Sequence, residues 1–210
     1  MHLAGVRDDM LLTQVSEARF EAVLRPKVLG GWVLHRLTRN RELDYFVMFS
    51  SIASGFGAAG QSCYAAANSF LDALAHRRRS EALPALSVNW GPWSGRGMAE
   101  TLSPVYLRRM GVALLPPTLG MQTLEHAMAC NEVQVMICPF DWAAMKLNYP
   151  WVRRRRFLEE VDLPKQAASP AFSADLHPDL NLEAILEEIK GMAPEEIAAL
   201  IDRAAEGVLP

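Results

Sequence analysis

The chain has 210 residues, half of them apolar, with a formal net charge of −3 and a sequence pI near 6.0. That is enough to bury the core of one main domain with an appendage, and the mild negative balance offers nothing to nucleic acid. Three scattered cysteines, Cys63, Cys130 and Cys138, exclude a disulfide framework and show no metal-ligand spacing, so no metal is expected. No apolar run is long enough to cross a bilayer, and the opening MHLAGVRDDM carries two aspartates where a signal peptide would be hydrophobic. The expectation is a soluble, cytoplasmic protein with no nucleic-acid or membrane partner.

The first residues, HLAGVRDD, read as a strand end passing into a loop, because an apolar-small run is broken by Gly5 and then by charge. From Ser16 to about Thr38 the pattern is helical, with Phe20, Leu24, Lys27, Gly31 and Leu34 on one face at spacings of three and four. Pro26 is expected to kink that helix or mark a restart. Lys27 interrupts the apolar stripe. Either its stem lies along the core while the ammonium snorkels to water, or the charge is buried and used.

Tyr45 to Phe49 has no alternation and predicts a strand covered on both faces, ending at Ser50 and Ser51. A small-residue loop follows to Gly60. Gln61 opens a helix to about Ser80 that carries Tyr64 and Asn68 one turn apart on one face. Leu86 to Trp90 is a second strand, closed by Gly91 and Pro92. Strand, helix, strand at this spacing predicts a βαβ unit, hence an α/β protein with a parallel sheet and a right-handed crossover. Ligands of such sheets bind beyond the carboxyl ends of the strands, which puts Ser50, Ser51 and the Asn89–Trp93 turn at the edge of a site.

Ser94 to Pro116, broken by prolines and glycine, is either a lid or an ordinary surface excursion. Thr118 to Ala129 predicts an amphipathic helix and Val133 to Ile137 a last strand, with Phe140, Trp142 and Met145 packing after it. Residues 1–150 therefore form the main portion. Residues 151–178 read as a linker and 179–210 as an acidic helical tail, with helices near Leu182–Lys190 and Pro194–Ala205, suited to docking or connection. The basic runs Arg77–Arg79 and Arg153–Arg156 read as solvated faces.

A ketone awaiting hydride needs an acid for the nascent alkoxide, and a tyrosine near its reference pKa of about 10 is a reluctant one. A neighbouring ammonium would lower that value and stabilise the phenolate. A serine hydroxyl bonded to the carbonyl would hold the ketone in place. Tyr64, Lys27 and Ser51 are candidates for these roles. Taken singly, Tyr64 could equally be a core tyrosine, Ser51 a cap and Asn68 a surface amide.

The combination is more specific than its parts. Lys27, Ser51, Tyr64 and Asn68, with FSSIAS, GQSCYAAANSFLDALAHRRR and LPALSVNWGPWSGRGMA, resemble the ketoreductase domain of modular type I polyketide synthases, a branch of the short-chain dehydrogenase/reductase family. The likeness covers about residues 2–150. Ordinary members carry Tyr-x-x-x-Lys. Here Asn68 takes the fourth position and the lysine comes from the earlier helix, the exchange typical of the polyketide branch.

The resemblance implies Tyr64 as proton donor, Ser51 as partner of the substrate carbonyl, Lys27 tuning the tyrosine and touching a ribose, and Asn68 in the proton relay. It implies NADPH as cofactor, with Ala4, Gly5, Gly91 and Pro92 beside Lys27 and Tyr64 in its site. The substrate would be a β-ketoacyl thioester on an acyl carrier protein, among other polyketide synthase domains. Stereocontrol would fall to Asp9, Phe56, Gln61 and Trp93. The motif Arg7-Asp8-Asp9 keeps the aspartates of the B-type Leu-Asp-Asp signature, and Phe56 stands where A-type members carry Trp, so a D-hydroxyl is expected.

The family's Gly-rich phosphate loop belongs upstream of HLAG, and Gly55, Gly57 and Gly60 have the wrong spacing and place to replace it. The fold class expected is therefore the C-terminal part of a Rossmann-like parallel sheet with flanking helices plus a short helical tail, and weak binding of NADPH by these residues alone. Two other functions compete. One is a non-catalytic structural or docking piece of a synthase. The other is an unrelated short-chain reductase acting on a free metabolite, against which the Lys27 and Asn68 exchange counts.

Overall fold

In a computed structural model of the protein, residues 1–95, 98–100, 102–148 and residue 158 are described. The chain divides into two compact units. The first, residues 1–102 with 112–140, holds a parallel sheet of three strands in the order β1-β2-β3. These are β1 Val47–Ser51, β2 Leu86–Trp90 and β3 Gln134–Ile137. Val47 pairs with Leu86 and Ser51 with Trp90, while Ser87 pairs with Gln134. On the free edge of β1, His2 makes a parallel bridge to Met48, donating its N–H to the Val47 carbonyl at 2.8 Å and accepting from Phe49 at 2.9 Å. The opening residues thus add a single bridge, at His2, to the edge of β1.

Helix α1, Glu17–Thr38, starts at Ser16, whose hydroxyl accepts the Arg19 N–H at 3.4 Å. It remains one helix through Pro26, without the expected restart. Its buried row is Val23, Lys27, Gly31 and His35, which keeps Lys27 and Gly31 of the predicted stripe but not its other members: Phe20 is exposed and Leu24 and Leu34 are half-buried. The reason is packing against α3, Ser62–Ser80. A Cβ at Gly31 would lie 2.9 Å from the Leu71 side chain, so the helix turns its small residue to that contact and its row at spacing four follows.

Two further expectations change. Strand β1 begins at Val47 and includes both serines, while Tyr45 is exposed. The small-residue stretch after Ser51 is not a loop, because Ile52–Phe56 forms the short helix α2. Ser51 caps it, accepting the Ala53 N–H at 3.2 Å, and Gly57 ends it at φ +77°.

The two faces of the sheet differ. Val47, Phe49, Leu86, Val88 and Trp90 pack with Leu115 and with Leu124 and Ala127 of α5, Pro117–Ala129. The other face carries Phe46, Met48 and Ala85 against Leu71, Leu74 and Ala75 of α3, with Trp32 of α1 beside them. Toward the carboxyl ends of the strands, this second face becomes polar.

The described part of the second unit contains α4, Pro104–Arg109, and α6, Trp142–Asn148. The Asn148 amide donates to the Arg109 carbonyl at 2.9 Å, and Leu107 and Met145 are buried. The expected linker and helical tail fall almost entirely outside the described residues. Among those described, no helix is long and apolar enough to cross a membrane, and no cluster of His, Cys, Asp or Glu suits a metal.

Candidate active site at the carboxyl end of the sheet

Lys27 decides the character of the site. It is 3 % exposed and donates from Nζ to the Phe49 carbonyl at 2.7 Å, so the snorkelling alternative does not hold. Its Nζ lies 5.9 Å from the centroid of the Tyr64 ring, a cation–π approach. Burial pulls its pKa from 10.5 down to about 8, with the charge of Asp72 acting in the opposite direction. An ammonium so poorly hydrated is available to the phenol beside it. His2, whose ring lies 3.1 Å from the Pro26 carbonyl, has its own pKa lowered by burial and by Lys27.

Tyr64 sits in the first turns of α3 and Asn68 one turn on, so both project from the face turned to Lys27. Asn68 is fully buried, not a surface amide. Its Nδ2 donates to the Tyr64 carbonyl at 2.8 Å, and its Oδ1 is buried without a hydrogen-bond partner among the described residues. The Ser50 hydroxyl donates to the Asn68 carbonyl at 3.3 Å, which ties the strand end to this helix. Ser51, at the end of β1, does act as a cap. Because its Oγ accepts from Ala53, its own proton remains to be given to a ligand oxygen.

Over Tyr64 lies Met98, its sulfur 4.0 Å from the phenol oxygen, while Arg7 donates to the Met98 carbonyl at 2.7 Å. Gly5 is the close-packed wall: a Cβ there would come within 3.0 Å of Lys27 Cε and 3.4 Å of Nζ. Four residues on, Asp9 accepts from Gln61 Nε2 at 3.1 Å and lies 3.4 Å from Arg7 Nε, and the Met10 N–H donates to the Gly60 carbonyl at 2.8 Å. The Arg-Asp-Asp loop is thereby fastened to the residues just before Tyr64. Asp8 turns the other way, into an ion pair with Arg19 that lowers its pKa.

Phe56 is buried edge-on to Phe140, ring centroids 5.5 Å apart. Trp93 packs on the α5 side, 4.7 Å from the Trp90 ring and against Gly120, where a Cβ would meet it at 2.5 Å. Gly91 is required by Cys138, whose sulfur would lie 2.5 Å from its Cβ and whose thiol burial pushes up to about 12. Pro92 offers its carbonyl to Leu115 at 2.7 Å.

Behind these residues lies a group that sequence reasoning passed over. Asp72, one turn beyond Asn68, is buried and accepts from Ser87 Oγ at 2.6 Å, Ser54 Oγ at 2.7 Å and Asn89 Nδ2 at 2.8 Å. Its signal was the spacing of four, which puts Tyr64, Asn68 and Asp72 on one stripe, together with a serine and an asparagine inside a fully buried strand.

A parallel sheet with helices on both faces and a Ser, Tyr, Lys, Asn cluster at its carboxyl end defines a Rossmann-like fold of the short-chain reductase type. A family profile described as KR domain matches residues 1–95. The chain is 39 % identical over 201 residues to the spectinabilin polyketide synthase system protein NorB of Streptomyces orinoci, covering 93 % of this chain and 9 % of that protein. It is 44 % identical over 149 residues to the polyketide synthase GfsB of Streptomyces halstedii, covering 69 % and 3 %. Among solved structures, the first ketoreductase of the tylosin synthase superposes with a TM-score of 0.65 at 44 % identity, over 69 % of this chain and 32 % of that one. An A-type ketoreductase of a modular polyketide synthase gives 0.64 at 39 %, over 69 % and 31 %. The chain belongs to the ketoreductase domains of modular polyketide synthases. It spans less than a tenth of the length of these two synthases and about a third of the ketoreductase chains.

Proposed function

We propose that this chain carries the acid–base residues of an NADPH-dependent ketoreductase that converts a β-ketoacyl thioester, held on an acyl carrier protein, to the β-hydroxyacyl thioester. The observation that carries this reading is the buried Lys27 ammonium set 5.9 Å from the Tyr64 ring. A lysine so desolvated is costly to the fold and earns its place only beside a group whose charge it stabilises.

The Ser51 hydroxyl donates to the ketone oxygen and fixes its position. Tyr64 Oη gives its proton to that oxygen as negative charge develops there, and Lys27 stabilises the phenolate left behind. Asn68 Oδ1 is a buried acceptor that can hold a hydroxyl or water, from which a proton would be returned toward Tyr64. When bound, NADPH would supply the hydride for the carbonyl carbon. Lys27 and Tyr64, with Ala4, Gly5, Gly91 and Pro92, would hold its nicotinamide ribose, since the missing side chain of Gly5 keeps the approach to Nζ open.

B-type control, giving the D-hydroxyl, is supported by the Asp9–Gln61 hydrogen bond that fastens the Arg-Asp-Asp loop beside Tyr64, and by phenylalanine at position 56. Asp9, Gln61, Phe56 and Trp93 are the residues to which we assign substrate and stereochemical choice. A cytoplasmic place beside the other synthase domains accords with three free cysteines.

The test is reduction of a β-ketoacyl thioester by the intact protein with NADPH. Tyr64→Phe should lose at least about 100-fold in kcat with the fold unchanged. Turnover near the parent level would refute Tyr64 as the acid, and an L-hydroxyl product on chiral chromatography would overturn the B-type assignment.

A further inference from the structure

The buried carboxylate of Asp72 takes no part in the proton path above, yet it stands at the centre of the hydrogen bonds beneath it. Its Oδ1 accepts from Ser87, and its Oδ2 from Ser54 and Asn89. All three neighbours are neutral donors. Burial of a carboxylate is tolerated only when such donors surround it, and the charge it faces within the fold is that of Lys27.

The donors also reach the strand end. Ser54 Oγ lies 2.8 Å from the Ser51 carbonyl, and Asn89 Nδ2 lies 3.3 Å from the same oxygen and 3.1 Å from Ser50 Oγ. Ser54 has one proton for two acceptors, and Asn89 Nδ2 has two for four. Asn89 donates to Asp72 Oδ2 and to Ser54 Oγ at 2.7 Å, and the single Ser54 proton is shared between Asp72 Oδ2 and the Ser51 carbonyl, so the carboxylate and the strand end are held by the same two donors. The Asn89 Oδ1 is held in turn by Gln134 at 3.0 Å, which fixes which end of the amide faces Asp72.

We propose that Asp72 is a positioning residue of the ketone-reduction site: through Asn89 and Ser54 it fixes the backbone that presents the Ser51 hydroxyl, and its charge serves as counter-ion to Lys27. The proposal rests on the ketoreductase reading. Asp72, Asn68 and Tyr64 share one stripe of one helix, so the counter-ion and the proton donor are set by the same rigid element. The groups facing Lys27 are His2 from the opening segment, the Phe49 carbonyl of β1, and Tyr64 and Asp72 of α3. Of these, Asp72 alone opposes the loss of the Lys27 proton by its charge.

The test titrates Lys27 by NMR of its labelled ε-carbon in the intact protein and in Asp72→Asn, a readout that needs no turnover. The midpoint should fall by about one unit in the variant, and the alkaline limb of the kcat profile should move with it while KM stays. An unmoved midpoint overturns the proposal. Ser54→Ala keeps the charge and removes the link to Ser51, so kcat should fall roughly 3- to 10-fold at an unchanged Lys27 midpoint. Parental kcat in Ser54→Ala overturns the positioning role, and does so even where Asp72→Asn fails to fold. A midpoint that shifts in a protein without ketone reduction supports the counter-ion role while refuting the ketoreductase reading, so the two failures are distinguishable.

Discussion

The two faces of the sheet are built from the same three strands yet obey different rules. The face under α5 is dry: Val47, Leu86, Val88 and Trp90 meet Leu115, Leu124 and Ala127, with Phe49 and Trp93 filling the margin. The face under α1 and α3 begins the same way at Phe46 and Met48, then turns at Ser50, Ser87 and Asn89 into hydrogen bonds around Asp72, with Lys27 close by. Stability is concentrated where nothing ionises. Chemistry is concentrated where each buried polar group depends on another, so that a single change alters charge and geometry together.

The sharpest way to test this division is Leu124→Ala on the dry face. It should cost about 2–5 kcal/mol, read as a lowered midpoint in denaturant, with kcat per folded molecule unchanged. A matching loss of kcat would mean that the dry face shapes the site.

On the polar face, Lys27→Met should remove ketone reduction. It leaves the Asp72 carboxylate without its counter-ion and the Phe49 carbonyl without its donor, so stability at pH 7 should also fall, by about 3–5 kcal/mol. The pH dependence follows from the same group. Because the folded value of about 8 lies below the 10.5 of a free lysine, the unfolded chain binds more protons between these values. The parent should therefore gain stability as pH rises from about 8 to 10.5 and show its lower level below that window. In Lys27→Met this rise should vanish from thermal melts; its persistence would show that another group causes it. Activity should run the other way, falling as pH passes about 8 and Lys27 loses its proton.

A smaller effect is expected at the margin. Gly120→Ala puts a methyl within 2.5 Å of the Trp93 ring and should cost about 1–3 kcal/mol by melting temperature. If Trp93 also serves substrate choice, KM for the thioester should change as well, and a change in stability alone would confine Trp93 to packing.

Much of the first unit was legible in the sequence, because its signals are local. The short strand β2, the helix of α3 and the α5 pattern each follow from neighbours a few residues apart. The four residues Lys27, Ser51, Tyr64 and Asn68 were legible for a different reason, as a combination matched to a known family. Ile52–Phe56 was misread because small residues suit loops and helices alike, and the cap at Ser51 with Gly57 after it decided the matter. The buried row of α1 was misread because an apolar stripe does not say which neighbour it meets, and Gly31 against Leu71 turned the helix toward Val23 and His35.

What the sequence determined by itself is the parallel α/β character and the placement of Ser50 and Ser51 at a strand end with Tyr64 and Asn68 on one face of the following helix, since periodicity and residue chemistry are carried in the chain order. Only the tertiary structure decided that Lys27 is buried without reaching water, that Asn68 is interior, and that Asp72 lies at the centre of the polar face. Those facts depend on which residues from distant segments share one desolvated space, where the charge of Asp72 acts on Lys27 although 45 positions separate them in sequence.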